Sequence, residues 1–280
     1  MRFTKMHGAG NDYIYVNGFE ENVLNPAEFA VKYSDCHKGI GADGLVIILP
    51  SGSCDFRMRM FNADGSEAEM CGNAVRCIGK YVYDNGLTHK TSLTLETLAG
   101  VIILQLQIGE NNTVEQVTVD MGEPVFESEK IPVNIATPQV INVPVSFSDK
   151  VSYNITTVSM GNPHAVIFTE KIDELNLPET GTIIENSPIF PNRINTEFIE
   201  PVDSTHIKMR VWERGSGETM ACGTGACAAV VAGVLNGINE RKTFVQLLGG
   251  ELLVEWRESN NHVYLTGDAV TVFEGEVLMC

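Results

Sequence analysis

The sequence predicts an α+β protein built as two pseudo-symmetric lobes. Three observations carry that prediction. The chain repeats itself once along its length, its apolar segments are short and β-branched, and its two clearest helices occupy matching places in the two copies.

The repeat orders everything else. Asn11 precedes Cys71 by 60 residues and Asn162 precedes Cys222 by the same 60, so the copies are offset by 151. At that offset Arg59-Met60-Phe61-Asn62 lies on Arg210-Val211-Trp212-Glu213, Glu67 on Glu218, Gly44 on Asn195, and Cys71-Gly72 on Cys222-Gly223. With one residue of slippage Thr97-Leu98-Ala99-Gly100-Val101-Ile102-Ile103 matches Leu247-Leu248-Gly249-Gly250-Glu251-Leu252-Leu253. A unit of this length is too long for a solenoid repeat and reads as a duplicated domain. The seam is placed near Met121-Gly122-Glu123-Pro124, and the Pro-rich stretch between Ile131 and Pro144 goes with the second copy. The lobes are expected at 1–121 and 122–267, with 268–280 as a final strand returning to the first lobe.

Within each copy, Tyr13-Ile14-Tyr15-Val16, Leu45-Val46-Ile47-Ile48-Leu49, Val101-Ile102-Ile103-Leu104 and Ala165-Val166-Ile167-Phe168 are bounded by Gly, Pro or Asn and read as strands. Helices are expected over 74–83 and 226–235, each stopped by Asn-Gly, at Asn85-Gly86 and Asn236-Gly237. The second of these is apolar on all sides, which places it at the centre of its lobe.

Composition narrows the function. The chain has 280 residues, 44% hydrophobic and 20% charged, enough for a self-sufficient core. Its 19 basic against 36 acidic residues give a net charge of −17, which repels nucleic acid and anionic membrane. Neither a signal-like apolar start nor a run of the ~18 apolar residues needed to span a bilayer is seen. The seven cysteines, at 36, 54, 71, 77, 222, 227 and 280, form neither a disulfide framework nor a zinc-knuckle spacing, so no metal is expected and a reducing cytoplasm is.

Two of those cysteines carry chemistry. Cys71 and Cys222 each stand before a Gly at the start of a helix, where unpaired N–H groups and the helix dipole favour a thiolate and can also hold a carboxylate. One such thiol suggests a nucleophile. Two related by internal symmetry suggest opposed groups in a shared cleft, one removing a proton from a carbon and the other returning one to its opposite face. The carbanion between them then needs donors aimed at its carboxylate in a dry site. Cys77 and Cys227 lie inside the helices and read as core, and Cys36, Cys54 and Cys280, lacking symmetric partners, read as structural.

The residues around these thiols resemble the diaminopimelate epimerase family. The likeness is carried by Met6-His7-Gly8-Ala9-Gly10-Asn11-Asp12, by 61–73 from Phe61-Asn62-Ala63-Asp64-Gly65 to Met70-Cys71-Gly72-Asn73, by Gly161-Asn162-Pro163-His164, and by 212–225 from Trp212-Glu213-Arg214 to Cys222-Gly223-Thr224-Gly225. The resemblance implies two lobes, each a curled, largely antiparallel sheet around a central helix, with the active site in the cleft between them. It implies interconversion of L,L- and meso-2,6-diaminopimelate, for lysine and peptidoglycan, by a homodimer using neither pyridoxal phosphate nor metal. Carried over by motif, Cys71 and Cys222 become the acid–base pair. Asn11, Asn62, Gly72, Asn73, Asn162, Asn195, Glu213, Arg214, Gly223 and Thr224 become substrate contacts, and His164 and Glu213 tune the thiols. The chain departs from some members at Gly44, where they carry Gln, and in Asn73-Ala74-Val75, where others have Asn-Gly-Ala.

Arg214 suits a bidentate grip on a carboxylate, and the Asn side chains offer donors and acceptors to a long zwitterion. Gly39-Ile40-Gly41-Ala42-Asp43-Gly44 spells G-x-G-x-x-G but runs into a strand, against the strand-then-helix context of a dinucleotide site. Lys38 and Lys80 lack a phosphate-binding context for pyridoxal phosphate. Two alternatives stand beside this reading: a related racemase of proline, histidine or lanthionine, and a thiol-redox binding protein.

Overall fold

A computed structural model of the chain describes residues 1–278, so Cys280 lies outside the described residues. The described chain forms two compact units, 1–120 together with 266–278, and 121–265.

The first unit contains β1 (Arg2–Gly8), β2 (Asn11–Asn17), α1 (Pro26–Ser34), β3 (Gly44–Leu49), β4 (Phe56–Asn62), β5 (Glu67–Ala68), α2 (Gly72–Asp84), β6 (Ser92–Thr97), β7 (Gly100–Ile108) and β8 (Val114–Asp120). The second contains β9 (Val143–Ser146), β10 (Ser152–Ser159), β11 (Pro163–Phe168), α3 (Leu177–Glu185), β12 (Asn195–Asp203), β13 (His206–Glu213), β14 (Gly217–Glu218), α4 (Gly223–Leu235), β15 (Lys242–Leu247) and β16 (Gly250–Trp256). The chain returns through β17 (Val263–Gly267) to the first unit, where β18 (Val270–Glu276) pairs antiparallel with β1.

Each unit builds its sheet by the same rule. β1–β2 and β10–β11 are antiparallel, β2–β3 and β11–β12 parallel, β3–β4 and β12–β13 antiparallel, β4–β6 and β13–β15 parallel, and β6–β7 and β15–β16 antiparallel. The two parallel joins fall where a helix intervenes: α1 or α3 before the first, α2 or α4 before the second. A parallel neighbour cannot be reached by a tight turn, so the chain must cross over, and here it crosses as a helix.

Both faces of each sheet are covered, because successive strand residues point to opposite sides. In the first unit Ile14, Val16, Leu45, Ile47 and Phe61 pack with Phe29 and Ala30 of α1. The alternate residue Tyr15 reaches Cys77 of α2 instead. In the second unit Ala165, Ile167 and Phe198 pack with Leu177 and Ile184 of α3, while Glu197, one residue from Phe198, faces Gly225 of α4. Helix α4 is in contact with β10, β11, β12, β13, β15 and β16. That enclosure explains its lack of a polar face: from Gly225 to Gly233 every residue is buried.

The two enclosed helices start and stop alike. Cys71 (φ −140°, ψ 122°) and Cys222 (φ −123°, ψ 111°) are extended N-cap residues. At the other end Gly86 and Gly237 adopt φ of 71° and 66°, and Leu87 and Ile238 return their N–H groups to Val82 and Gly233. This is the left-handed closure that glycine allows at low cost. Cys77 and Cys227 are wholly buried, and burial pushes the Cys77 thiol up to about 12. Cys36 lies exposed just beyond α1. Cys54 is half-buried.

The G-x-G-x-x-G stretch sits between α1 and β3, a helix-then-strand order opposite to that of a dinucleotide site. Lys80 is occupied by Asp84 at 2.7 Å and by the Val114 carbonyl at 2.7 Å.

A Cβ on Gly233 would fall 1.5 Å from Asn239 Oδ1, and Asn239 is itself held by the Val230 and Glu240 carbonyls. Gly233→Ala therefore overpacks the centre of the second unit. It should cost about 1–3 kcal/mol, read as a lower midpoint in urea unfolding.

Candidate active site

The thiols stand at the N-termini of α2 and α4, Cys71 beside Asn11 and Cys222 beside the carboxylates of Glu213 and Glu197. Around Cys71 the contacts are polar and direct. Cys71 Sγ lies 3.3 Å from Asn11 Oδ1, which also accepts from Asn73 Nδ2 at 3.2 Å. Asn11 Nδ2 donates to Asp43 Oδ2 at 2.7 Å. Asn62 ends β4 in a tight turn, donating from Nδ2 to Ser66 Oγ at 3.0 Å. Gly72 and Asn73 open α2, and Asn73 is buried. Gly44 faces Asn62 across the β3–β4 ladder, and a Cβ there would meet the Phe61 carbonyl oxygen at 2.0 Å. As the strands stand, position 44 has no room for a side chain, so this wall of the site is backbone.

Around Cys222 the environment is drier. Only 6% of the residue is exposed. The Gly225 N–H points at its sulfur, and Thr224 Oγ1 lies at 3.5 Å. A Cβ on Gly225 would sit 3.3 Å from Cys222 Sγ and 2.7 Å from Glu197 Oε1, so the glycine is what lets thiol and carboxylate crowd the helix terminus. His164 stands on the same patch, its Nδ1 2.7 Å from Glu197 Oε1 and its Nε2 2.9 Å from Asn162 Oδ1, with both His164 and Glu197 fully buried. Glu213 accepts from Thr219 Oγ1 and from the Cys222 thiol, and burial raises its carboxyl despite those donors.

These surroundings set Cys222 apart from a thiol that a helix terminus alone would turn toward thiolate. Burial, then the carboxylates of Glu213 and Glu197, push the Cys222 thiol well above its ordinary range, against the pull of Thr224 and the Gly225 N–H. Desolvation of a charge outweighs a helix terminus when the thiol is this enclosed. Cys222 is therefore a proton-bearing thiol at neutral pH.

The remaining residues named from sequence fall near these two centres. Asn195 opens β12 and is buried, its Nδ2 donating to the Pro163 carbonyl at 2.8 Å and its Oδ1 accepting the Arg214 N–H at 2.9 Å. It thereby fixes the loop that carries Arg214. The Arg214 side chain is exposed and reaches the Asn192 carbonyl at 3.1 Å, and among the described residues no carboxylate pairs with it. Gly223 and Thr224 form the first turn of α4.

Glu197 and Asp43 are the site residues that motif reading passed over. Neither has a like residue in the other copy, since Glu197 falls opposite Val46 and Asp43 opposite Ile194. Their signal was a carboxylate at a buried position of β12, beside Phe198 and Ile199, and one beside a Gly-rich turn.

A family model described as diaminopimelate epimerase matches residues 3–127 and 156–272, a span that includes every one of these site residues. The chain belongs to the diaminopimelate epimerase family. Curated relatives of that name include one from Acetivibrio thermocellus, 60% identical over 99% of this chain and 98% of its own length. Another, from Methanococcus maripaludis, is 55% identical over 99% of both. Among solved structures, a probable proline racemase from Agrobacterium radiobacter shares the fold at a TM-score of 0.71 with 15% identity, covering 100% of this chain and 93% of that one. A PhzF-family phenazine biosynthesis protein from Bacillus anthracis shares it at 0.69 with 21% identity, covering 100% and 99%. The family membership and the fold are thus reached from independent directions, and both agree with the α+β reading of the sequence.

Because Cys222 holds its proton at neutral pH, its alkylation by iodoacetamide should be slow there and should accelerate only at a pH beyond the ~8.5 of an ordinary thiol. Glu213→Gln removes a negative neighbour and should move that acceleration to lower pH. Peptide mapping of the Cys222 label against pH reads both outcomes.

Proposed function

We propose that this chain interconverts L,L- and meso-2,6-diaminopimelate, an isomerase reaction run by two thiols without pyridoxal phosphate or metal. Family membership and the relatives' name support the substrate. The observation that carries the mechanism is the matched placement of Cys71 and Cys222 as N-cap residues of repeat-related helices, one half-buried among amides and the other dry and protonated.

In this reading Cys71 and Cys222 address opposite faces of one α-carbon. Cys71 as thiolate takes the proton, the electron pair is held on carbon and spread into the adjacent carboxylate, and Cys222 delivers its own proton to the other face. Cys71 then carries the proton and Cys222 the charge, so the reverse reaction finds the site already set. The open N–H groups of Gly72-Asn73 and Gly223-Thr224 receive the carboxylate, whose negative charge grows as the carbanion forms. His164 offsets the charge on Cys222, and Glu213 receives its thiol hydrogen bond. Asn11, Asn62, Asn162 and Asn195 hold the substrate's polar groups, and Arg214, free of a carboxylate partner among the described residues, grips the distal carboxylate.

A homodimer in the cytoplasm completes the proposal. Every residue of β18 except Gly275 is exposed, and Val270, Val272 and Phe273 meet solvent there, an apolar strand suited to a second copy. No described helix is long and apolar enough to cross a membrane. Reduced thiols are what the mechanism needs, and the cytoplasm keeps them so. The product would enter lysine and peptidoglycan precursor synthesis.

The test is solvent exchange. L,L-diaminopimelate incubated with the protein in D₂O should acquire deuterium at one α-carbon as the meso isomer appears, and absence of label under conditions that keep the protein folded would remove the two-base reading. Cys71→Ala and Cys222→Ala should each abolish interconversion while circular dichroism stays native.

Arg214→Lys keeps the charge but loses the forked donor geometry. It should lower kcat/KM for diaminopimelate by roughly ten-fold or more, the loss typical of a charge-assisted hydrogen bond. An unchanged specificity constant would show that Arg214 serves the loop and not the substrate.

A further inference from the structure

The Asn11 amide has one orientation available to it. Its Nδ2 donates to Asp43 Oδ2 at 2.7 Å, and the same oxygen accepts the Asp12 N–H at 3.1 Å. Burial and the neighbouring Asp12 carboxylate raise the Asp43 carboxyl, while the two N–H groups that converge on Oδ2 favour its ionised form. An oxygen that accepts both of them has no proton to give, so the amide is pinned with Nδ2 toward Asp43 and Oδ1 toward Cys71 and Asn73. Asp43 is held in turn by its backbone. Its N–H donates to the Asp12 carbonyl at 2.9 Å, and its carbonyl accepts from Ala63, next to Asn62, at 2.9 Å. Lys5 pairs with the Asp12 carboxylate and the Gly41 carbonyl, so the nearby ammonium is committed to Asp12.

The second copy is wired the other way. Ile194 stands where Asp43 would fall, and Asn162 uses its Oδ1, 2.9 Å from His164 Nε2. The duplicated asparagines are thus anchored by opposite ends, and what distinguishes them is the residue behind each.

We propose that Asp43 is a positioning residue for proton transfer at Cys71: it sets the polarity of Asn11, so that the substrate meets a carbonyl oxygen on that wall and not an N–H. An amino acid presents an ammonium beside the carbon that loses its proton. Asn11 Oδ1 accepts from that ammonium, whereas a reversed amide would point donor at donor and leave the ammonium without a partner. The inference rests on the reading of Asn11 and Cys71 as substrate contacts given above.

Asp43→Asn tests it, because the swap keeps shape and removes the constraint, allowing the amide to turn. Interconversion should fall roughly ten- to hundred-fold, the effect of losing a hydrogen bond to a charged group. In an Asn11→Ala background the same swap should cost less than about two-fold, since a residue acting through Asn11 has nothing left to position. A full loss persisting in that background would overturn the proposal. Side-chain amide hydrogen exchange of Asn11 gives a readout that needs neither substrate nor a folded variant. Wild-type Asn11 should exchange slowly, and a rate equal to that of a solvent-exposed asparagine would also overturn it. Should wild-type protein fail to interconvert diaminopimelate, the proposed function falls, while the exchange measurement still decides the role of Asp43.

Discussion

Burying a charged group in a dry protein interior costs more than any single hydrogen bond returns, and the arrangement around Cys222 is governed by that cost. Its sulfur sits at the mouth of a helix enclosed by strands of its unit, beside the carboxylates of Glu213 and Glu197, which burial withdraws from water. The helix terminus supplies a weak pull toward thiolate, and burial supplies a strong push the other way. The dry thiol keeps its proton, so it is suited to give one. Once that proton is given, the thiolate left behind is held by the donors at the helix terminus, the Thr224 hydroxyl and the Gly225 N–H.

The first unit solves the matching problem with different means. Cys71 is half-buried, and its neighbours are amides whose orientation is dictated from behind by a carboxylate. Beneath it lies Arg76, fully buried, spanning the Asp268 and Gly72 carbonyls. The two units share one strand-and-helix order, and the residues one layer behind the thiols differ between them.

Much of this was legible in the sequence because the repeat is periodic in things that sequence displays. The Asn–Cys spacing, the Asn-Gly stops at 85–86 and 236–237, and the all-apolar run of α4 each map onto one local structure. The strands at 13–16, 45–49, 101–104 and 165–168 fall inside β2, β3, β7 and β11 for the same reason. Helices α1 and α3 were not announced, since each is 9 residues long and its apolar positions mix with polar ones. The parallel joins were hidden too, because they depend on pairing between strands that are not consecutive. At the site, the thiols declared themselves by symmetry. Glu197 and Asp43 did not, because their importance comes from what they touch across the sheet. The sign of the effect at Cys222 was missed for a related reason: a helix start is written in sequence, and the depth at which it is buried is not.

The pairing of β18 with β1 has a consequence for synthesis. Residues 2–8 acquire their outer neighbour only from residues 270–276, whereas nearly all of the second unit is one unbroken stretch. On the ribosome, therefore, a segment made early is completed by one made late. Until residue 276 is available, β1 has a bare edge with its backbone groups unpaired, and the nascent Cys71 half must wait, unfinished, while its younger duplicate folds around its own helix.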